Sequence, residues 1–267
     1  MKFLYHTAVG RLLLRIISAR WLSALIGRFL NSRLSKPLIR RFVRKNGINT
    51  DDYICSGIHS FNDFFTRKIK DGLRPASDDP RDLVSPCDAN LSAYRIDDGT
   101  VIPVKQSEYT VSSLLGGDPV GEKYLGGVCL VFRLGVDNYH RYCYIDNAEK
   151  SENVFIPGVL HTVRPIALGV YPVFIRNCRE YTVMETENFG TVTQIEVGAL
   201  LVGKIKNLHG KAAVKRGEEK GMFLYGGSTV ILLLEKNRAD IPTEYFSATA
   251  RGEERPVRMG MTIGKRI

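Results

Sequence analysis

Lys220-Gly-Met-Phe-Leu-Tyr-Gly-Gly-Ser-Thr-Val-Ile-Leu-Leu-Leu234 is the stretch around which the rest of the chain is organised. It joins Gly226-Gly227-Ser228-Thr229 to an apolar run, Val230 to Leu234, with the texture of a buried strand. Paired glycines reach backbone angles closed to other residues and let another group come close to the peptide. The hydroxyl of Ser228 sits beside the carbonyl carbon of Gly227, the arrangement for an N→O acyl shift in which a chain attacks its own backbone. The same residues also read as a glycine turn entering a buried strand, with Ser228 an ordinary turn residue. The local pattern leaves both readings open.

A chain of 267 residues with 44% apolar and 25% charged residues can bury a sizeable core, as one domain or one domain with an appendage. The net charge of +10 is unevenly placed. Residues 1–50 carry eleven Lys and Arg and no Asp or Glu, leaving 27 basic and 28 acidic residues for the other 217. The basic character therefore belongs to the N-terminal segment and signals a partner. Five cysteines (Cys55, Cys87, Cys129, Cys143, Cys178), widely spaced and with no CxxC pair, argue against a disulfide framework or a zinc site and for a reducing compartment. No uninterrupted apolar run reaches the ~18–20 residues needed to span a bilayer. Arg11, Arg15 and Arg20 break up what would be the apolar core of a secretory signal.

From Val9 to Leu30 apolar residues recur at helical spacing, through Leu13, Ile17, Trp21, Leu25 and Phe29, with Arg11, Arg15 and Arg28 off that stripe. Such an acid-free helix suits the plane of an anionic membrane surface, although an ordinary helix packed on the domain would show the same stripe. Nucleic acid is not expected, since the segment is too apolar for a basic arm and no recognition motif is present. A second helix runs from Leu38 to Lys45 until Asn46-Gly47 stops it, and Phe61 to Lys70 reads as a short amphipathic helix with an aromatic anchor. From residue 83 onward short apolar segments separated by Gly, Pro, Asn and Asp predict antiparallel strands at 91–96, 127–133, 142–145, 154–163, 181–187, 190–197 and 230–234. Within these, Thr191 to Val197 alternates and predicts a strand with one wet face, and residues 237–267 are expected on the outside. The fold class expected is α+β, a mostly antiparallel β catalytic domain (61–267) behind a basic amphipathic helical segment (1–60).

Taken singly, the candidate chemical residues are weak. His140 lies in a polar, aromatic knot, Val136-Asp-Asn-Tyr-His-Arg-Tyr-Cys143; His161 lies in an otherwise apolar strand; Asp88 precedes a strand, where Asp ordinarily serves a turn. Together they point one way. Phe61-Asn-Asp-Phe-Phe-Thr-Arg67, Arg74-Pro75, Ser85-Pro-Cys-Asp88, Asp137-Asn-Tyr-His-Arg141, Thr162-Val163 with Pro165, Val202-Gly203, Glu219-Lys-Gly221 and Gly226-Gly-Ser-Thr229 follow in order across about two-thirds of the chain. In this the sequence resembles the phosphatidylserine decarboxylase proenzymes, in the Gly-Gly-Ser-Thr form found in clostridia-like bacteria.

The resemblance implies a self-processing enzyme. Ser228 would attack the Gly227 carbonyl, and β-elimination would leave a β chain, 1–227, and an α chain, 228–267, headed by a pyruvoyl cofactor made from Ser228. The two chains would stay associated, and a homodimer is possible within the family. The pyruvoyl carbonyl would form a Schiff base with the serine amine of phosphatidylserine, lose CO2 and release phosphatidylethanolamine. Self-cleavage needs a base and a carboxylate to orient it. Asp88 matches the family carboxylate, but Cys143 stands where the family has its second histidine, and Ala89 where it usually has glycine. His161 is therefore the expected base, with Cys143 the weaker alternative, and His140 the expected proton donor in decarboxylation. The expected location is the cytoplasmic face of the cell membrane, as a peripheral protein. The rival expectations are a pyruvoyl decarboxylase of another amino-bearing substrate and an unprocessed homologue that only binds lipid.

Overall fold

The chain's β-branched and aromatic segments assemble into one nine-stranded antiparallel sheet, with smaller sheets and short helices around it. The structure is a computed structural model. It describes residues 20–104, 107–162, 173–198, 205–224 and 228–267, without the side chains of 20–24, 159–162 and 173–176. The elements that position the site are helices α1 (Arg20–Leu30), α2 (Pro37–Asn46) and α3 (Phe61–Phe65), strands β1 (Ala89–Arg95), β2 (Val128–Leu134), β3 (Arg141–Cys143), β4 (Ala148–Lys150), β5 (Val154–Ile156), β6 (Val159–Thr162), β7 (Val173–Arg176), β8 (Arg179–Thr186), β9 (Gly190–Val197), β10 (Ile205–Asn207), β11 (Ala212–Val214), β12 (Glu219–Phe223), β13 (Ser228–Leu234) and β14 (Arg255–Val257). The main sheet runs β11-β4-β8-β9-β13-β2-β1-β14, with β5 also paired to β8.

Strand β13 is central and all seven of its residues are buried. Its side chains alternate as the pleat requires. Val230, Leu232 and Leu234 pack on one face with Leu91, Leu130, Phe132, Tyr142 and Phe223, while Ile231 and Leu233 pack on the other with Tyr109, Leu114 and Tyr124. A small sheet, β10-β12-β3, thus covers the first face, and residues 96–124 cover the second. The expected strand at 230–234 also includes Ser228 and Thr229, so Ser228 is a residue of the ladder and not a turn residue.

Coverage of both faces also corrects the expectation for β9. Residues Thr191 to Val197 are all buried, and no wet face exists. The polar side chains in it are interior: the Thr193 hydroxyl meets that of Tyr124 at 2.5 Å, and Glu196 pairs with Lys220. The C-terminal stretch is likewise not wholly external, because β14 pairs with β1 at the sheet edge and Ile241, Tyr245, Val257 and Ile263 join the core. The segment expected at 154–163 divides at Pro157-Gly158. Ile156 faces Arg179 and Val159 faces Arg176, a single register, so β5–β6 and β7–β8 continue one antiparallel pairing.

Helices α1 and α2 match the expected helical stretches where these fall on described residues; 9–19 lies outside them. Gly47 ends α2 at φ 61°, the left-handed conformation that glycine adopts without a side-chain clash, and its N–H donates to Val43. The expected helix at 61–70 is only Phe61–Phe65, held by a capping box between Ser60 and Asp63. Among the described residues no helix is long and apolar enough to cross a membrane. Because Leu232 is fully buried at the centre of β13, Leu232→Ala should destabilise the protein by about 2–5 kcal/mol. Urea denaturation should show this as a lower midpoint with an unchanged slope.

Candidate active site

Ser228, 2% exposed, faces Leu134, the last residue of β2, and shares the face of Val230 and Leu232. The next row of the ladder runs Thr229, Arg133, Asn90, so Asp88, two residues before Asn90, lies at the same end of the sheet with β2 between. Asp88 is buried and firmly held. Arg74 grips it as a fork, Nε to Oδ1 at 2.9 Å and Nη2 to Oδ2 at 2.8 Å, and the backbone N–H of Met259 donates to Oδ1 at 2.8 Å. These partners come from residues distant in sequence, and neither carries a local signal that sequence reasoning could have used beyond the Arg74-Pro75 pair.

His140 closes the loop that leaves β2 at Leu134. Its Nδ1 lies 2.9 Å from the carbonyl oxygen of Asn138, which can only accept, so Nδ1 carries the proton and Nε2 the lone pair. The ring stacks 3.9 Å from that of Phe65, and its backbone oxygen accepts from Phe223 N–H at 2.9 Å, tying it to β12. Burial pushes the imidazole down to about 3, with the Arg67 guanidinium adding to the effect and the Asn138 bond opposing it. Arg67 itself lies over the rings of Tyr53 at 4.0 Å and Phe64 at 4.8 Å. The Phe61–Arg67 motif is thus the wall behind His140.

Cys143 is buried in β3, with its N–H on the Pro86 carbonyl at 2.9 Å. Burial pushes its thiol up to about 12, and the charge of Asp88 adds to this, so at neutral pH the group stays protonated. His161 on β6 faces Phe174 on β7, five residues past Ile156; its side chain lies outside the described residues, as does Gly227.

One group of side chains on the Ser228 face was not anticipated. Glu196 on β9 and Lys220 on β12 are both fully buried and joined by bonds of 2.8 and 2.7 Å from Nζ to the two carboxylate oxygens. Burial raises the Glu196 carboxyl, and Lys220 opposes the shift. Glu196 was hidden in a strand whose alternation suggested solvent. Lys220 was legible only as part of a motif.

A buried serine on a central strand thus shares one end of the sheet with a clamped carboxylate and the loop of a dry histidine. The sequence model of the phosphatidylserine decarboxylase family matches residues 61–265. The chain belongs to that family. It is 44% identical to phosphatidylserine decarboxylase proenzyme 2 of Clostridium acetobutylicum, covering 99% of this chain and 91% of that protein. The phosphatidylserine decarboxylase proenzymes of Clostridium novyi and Clostridium botulinum are each 37% identical over 100% of this chain and 92% of theirs.

The buried state of His140 has a measurable consequence. Its folded value is depressed from the ordinary ~6.5 to about 3, so between those limits the unfolded chain takes up a proton that the folded chain refuses. The stability this residue contributes is therefore present above ~6.5 and lost as pH falls toward 3, at up to about 1.4 kcal/mol per pH unit. Denaturation measured from pH 7 to 4 should show this slope, reduced in His140→Phe. Arg74→Met should cost about 3 kcal/mol by leaving Asp88 buried without its cation, and Arg74→Lys less, by the same measurement.

Proposed function

We infer that this chain is the precursor of a decarboxylase that converts phosphatidylserine to phosphatidylethanolamine and CO2, and we propose that its cofactor is a pyruvoyl group made from Ser228. The observation that carries the reading is the place of Ser228. It is buried on a central strand, at the end of the sheet where β1 follows Asp88 and β2 leads to His140. In the proposed self-cleavage the Ser228 Oγ bonds to the Gly227 carbonyl carbon, the bond from that carbon to the Ser228 nitrogen breaks, and the hydroxyl proton ends on the freed amine. Removal of the Cα proton of residue 228 then expels Gly227 as a carboxylate. The dehydroalanine left behind takes up water and loses ammonia to give the pyruvoyl end.

Cleavage there leaves every residue of β13 in its ladder with β9 and β2, which supports a processed enzyme whose β chain (1–227) and α chain (228–267) stay together. His161 is the base proposed for the Ser228 hydroxyl, oriented by Asp88. A carboxylate has about four lone-pair sites, and Arg74 and Met259 occupy three of them, leaving room for one imidazole N–H. The pyruvoyl group supplies a ketone carbonyl that condenses with the headgroup amine and takes up the electron pair as CO2 departs. The Nδ1 bond to Asn138 leaves His140 Nε2 as the atom that can handle a proton, and His140 is the residue proposed to protonate the carbon that loses CO2.

Residues 1–60 are proposed as the membrane-associating segment of a peripheral protein on the cytoplasmic face. Leu25, Ile26, Phe29, Leu34 (79% exposed) and Leu38 face solvent among Arg28, Arg33, Lys36, Arg40 and Arg41, an acid-free mixture suited to anionic lipid. Each basic group near such a surface contributes about 1 kcal/mol. On this reading a homodimer is allowed but not required.

Intact mass spectrometry tests the core of the proposal: the wild type should yield a forty-residue fragment, 228–267, and Ser228→Ala a single whole chain without activity. Two chains from the alanine variant would overturn it, and a whole wild-type chain that binds phosphatidylserine vesicles would favour a lipid-binding homologue. His161→Ala and Asp88→Asn should stall cleavage, while His140→Ala should still cleave yet fail to decarboxylate; normal processing of His161→Ala would remove that residue from the mechanism. Deleting residues 1–30 should reduce sedimentation with anionic liposomes, in a salt-dependent way, and leave self-cleavage intact.

A further inference from the structure

The mechanism above makes no use of the Glu196–Lys220 pair, yet these are two of the most deeply buried charges in the protein. The Lys220 ammonium also donates to Asn207 Oδ1 at 3.1 Å and lies 5.7 Å from the centre of the Tyr142 ring. Asn207 turns its amide nitrogen to Glu196 Oε2 at 3.2 Å and to Glu180 Oε1 at 2.8 Å, and its oxygen also accepts from the Tyr142 hydroxyl at 3.1 Å. Glu180 and Glu196 face each other across the β8–β9 ladder, where like charges repel unless other groups join them. The network ties β8, β9, β10, β12 and β3 at one point.

A β-bulge helps to place Lys220 there. The pairing of β12 with β3 shifts register between Glu219 and Gly221, and the residue in the bulge is Lys220, aimed inward. Gly221 must be glycine for this approach, because a Cβ would run into the Lys206 carbonyl oxygen and the Tyr142 hydroxyl. On either side of the bulge the strand is fastened again. Glu219 binds Arg141 at 2.5 Å, and Phe223 N–H binds the His140 carbonyl at 2.9 Å.

The two charges stand on opposite sides of the proposed scissile bond. Lys220 belongs to β12, the last strand before residues 225–227. Glu196 faces Val230, two residues past Ser228 and on the same face of the sheet. We propose that the Glu196–Lys220 pair is a positioning device for self-cleavage, fixing the strand that enters the scissile bond against the strands that hold the one leaving it. Neither charge can withdraw without leaving the other unpaired in the interior, so β12 cannot slide along the sheet. A dry ion pair adds little net stability over a well-packed apolar pair, and fixing register is the better-attested use of one. Intramolecular attack needs that constraint, since the Ser228 oxygen has to lie within about 3–3.5 Å of the carbonyl carbon. No proton passes through Glu196 or Lys220 in this role.

The inference rests on self-cleavage at Gly227–Ser228, and its test carries that reading as a control. The rate at which the forty-residue fragment appears should be followed by pulse-chase for the wild type, Lys220→Arg, Glu196→Gln and the double variant Glu196→Leu/Lys220→Met. The double variant should fold, with a thermal midpoint near that of the wild type, and cleave about 100-fold more slowly, the scale of a 1 Å misplacement. Lys220→Arg, which restores a cation, should recover most of the rate. Hydroxylamine, which cuts the ester formed by the acyl shift, should release less fragment from the double variant than from the wild type, placing the loss at the attack itself. A folded double variant that cleaves at the wild-type rate overturns the proposal. Should that variant fail to fold, Glu196→Gln decides: folded and slow supports the role, folded and fast overturns it. A wild-type chain that never cleaves overturns the self-cleavage reading and this inference with it.

Discussion

The site depends on the pairing of strand β13, whose residues from Ser228 to Leu234 are all buried and all face β2. The seven buried residues of β13 hold Ser228 between β9 and β2, and the ends of β2 and β1 bring the loop of His140 and the carboxylate of Asp88 to the same edge. Packing on both faces of β13 makes that edge rigid.

The charges around this edge are kept by pairing and not by solvent. Asp88 has the Arg74 fork and a backbone N–H, and Glu196 has Lys220 and Asn207. Each such group would be costly if left alone, about 3–5 kcal/mol for a buried charge stripped of its partner. The neutral members of the site obey the same rule from the other direction. Burial holds the His140 imidazole and the Cys143 thiol in their uncharged forms at neutral pH.

Much of this was legible in the sequence, and the failures share one cause. The run Val230 to Leu234 announces a buried strand because it is apolar on both parities, and Asn46-Gly47 announces the end of α2 because only glycine takes the left-handed position easily. The aromatic anchor at Phe61, Phe64 and Phe65 was visible too, although the helix is half the expected length. Strand β9 misled, since Thr193 and Glu196 look like solvent-facing residues. Their partners in the interior are Tyr124 and Lys220, which are far away in the chain. Asp88 looked like a turn residue for the same reason: its partners, Arg74 and Met259, lie 14 and 171 residues away. Local pattern reports local constraint, and polar groups satisfied at long range carry no such pattern.

The same long-range packing links the N-terminal segment to the chemistry. Phe42 on α2 meets Phe61 at 5.1 Å and Phe65 at 6.5 Å, and Phe65 in turn lies 3.9 Å from His140. Ser35 accepts from the Phe61 N–H at 2.8 Å, and Asn31 accepts from the side chain of Asn62 at 2.7 Å, so α1 and α2 are seated on α3 by polar as well as aromatic contacts. A chain of ring contacts, Phe42 to Phe65 to His140, thus connects α2 to the buried imidazole through α3. A substitution such as Phe65→Ala would loosen the seat of α2 and the dry wall of His140 together, which explains why one short helix concentrates three buried aromatic rings.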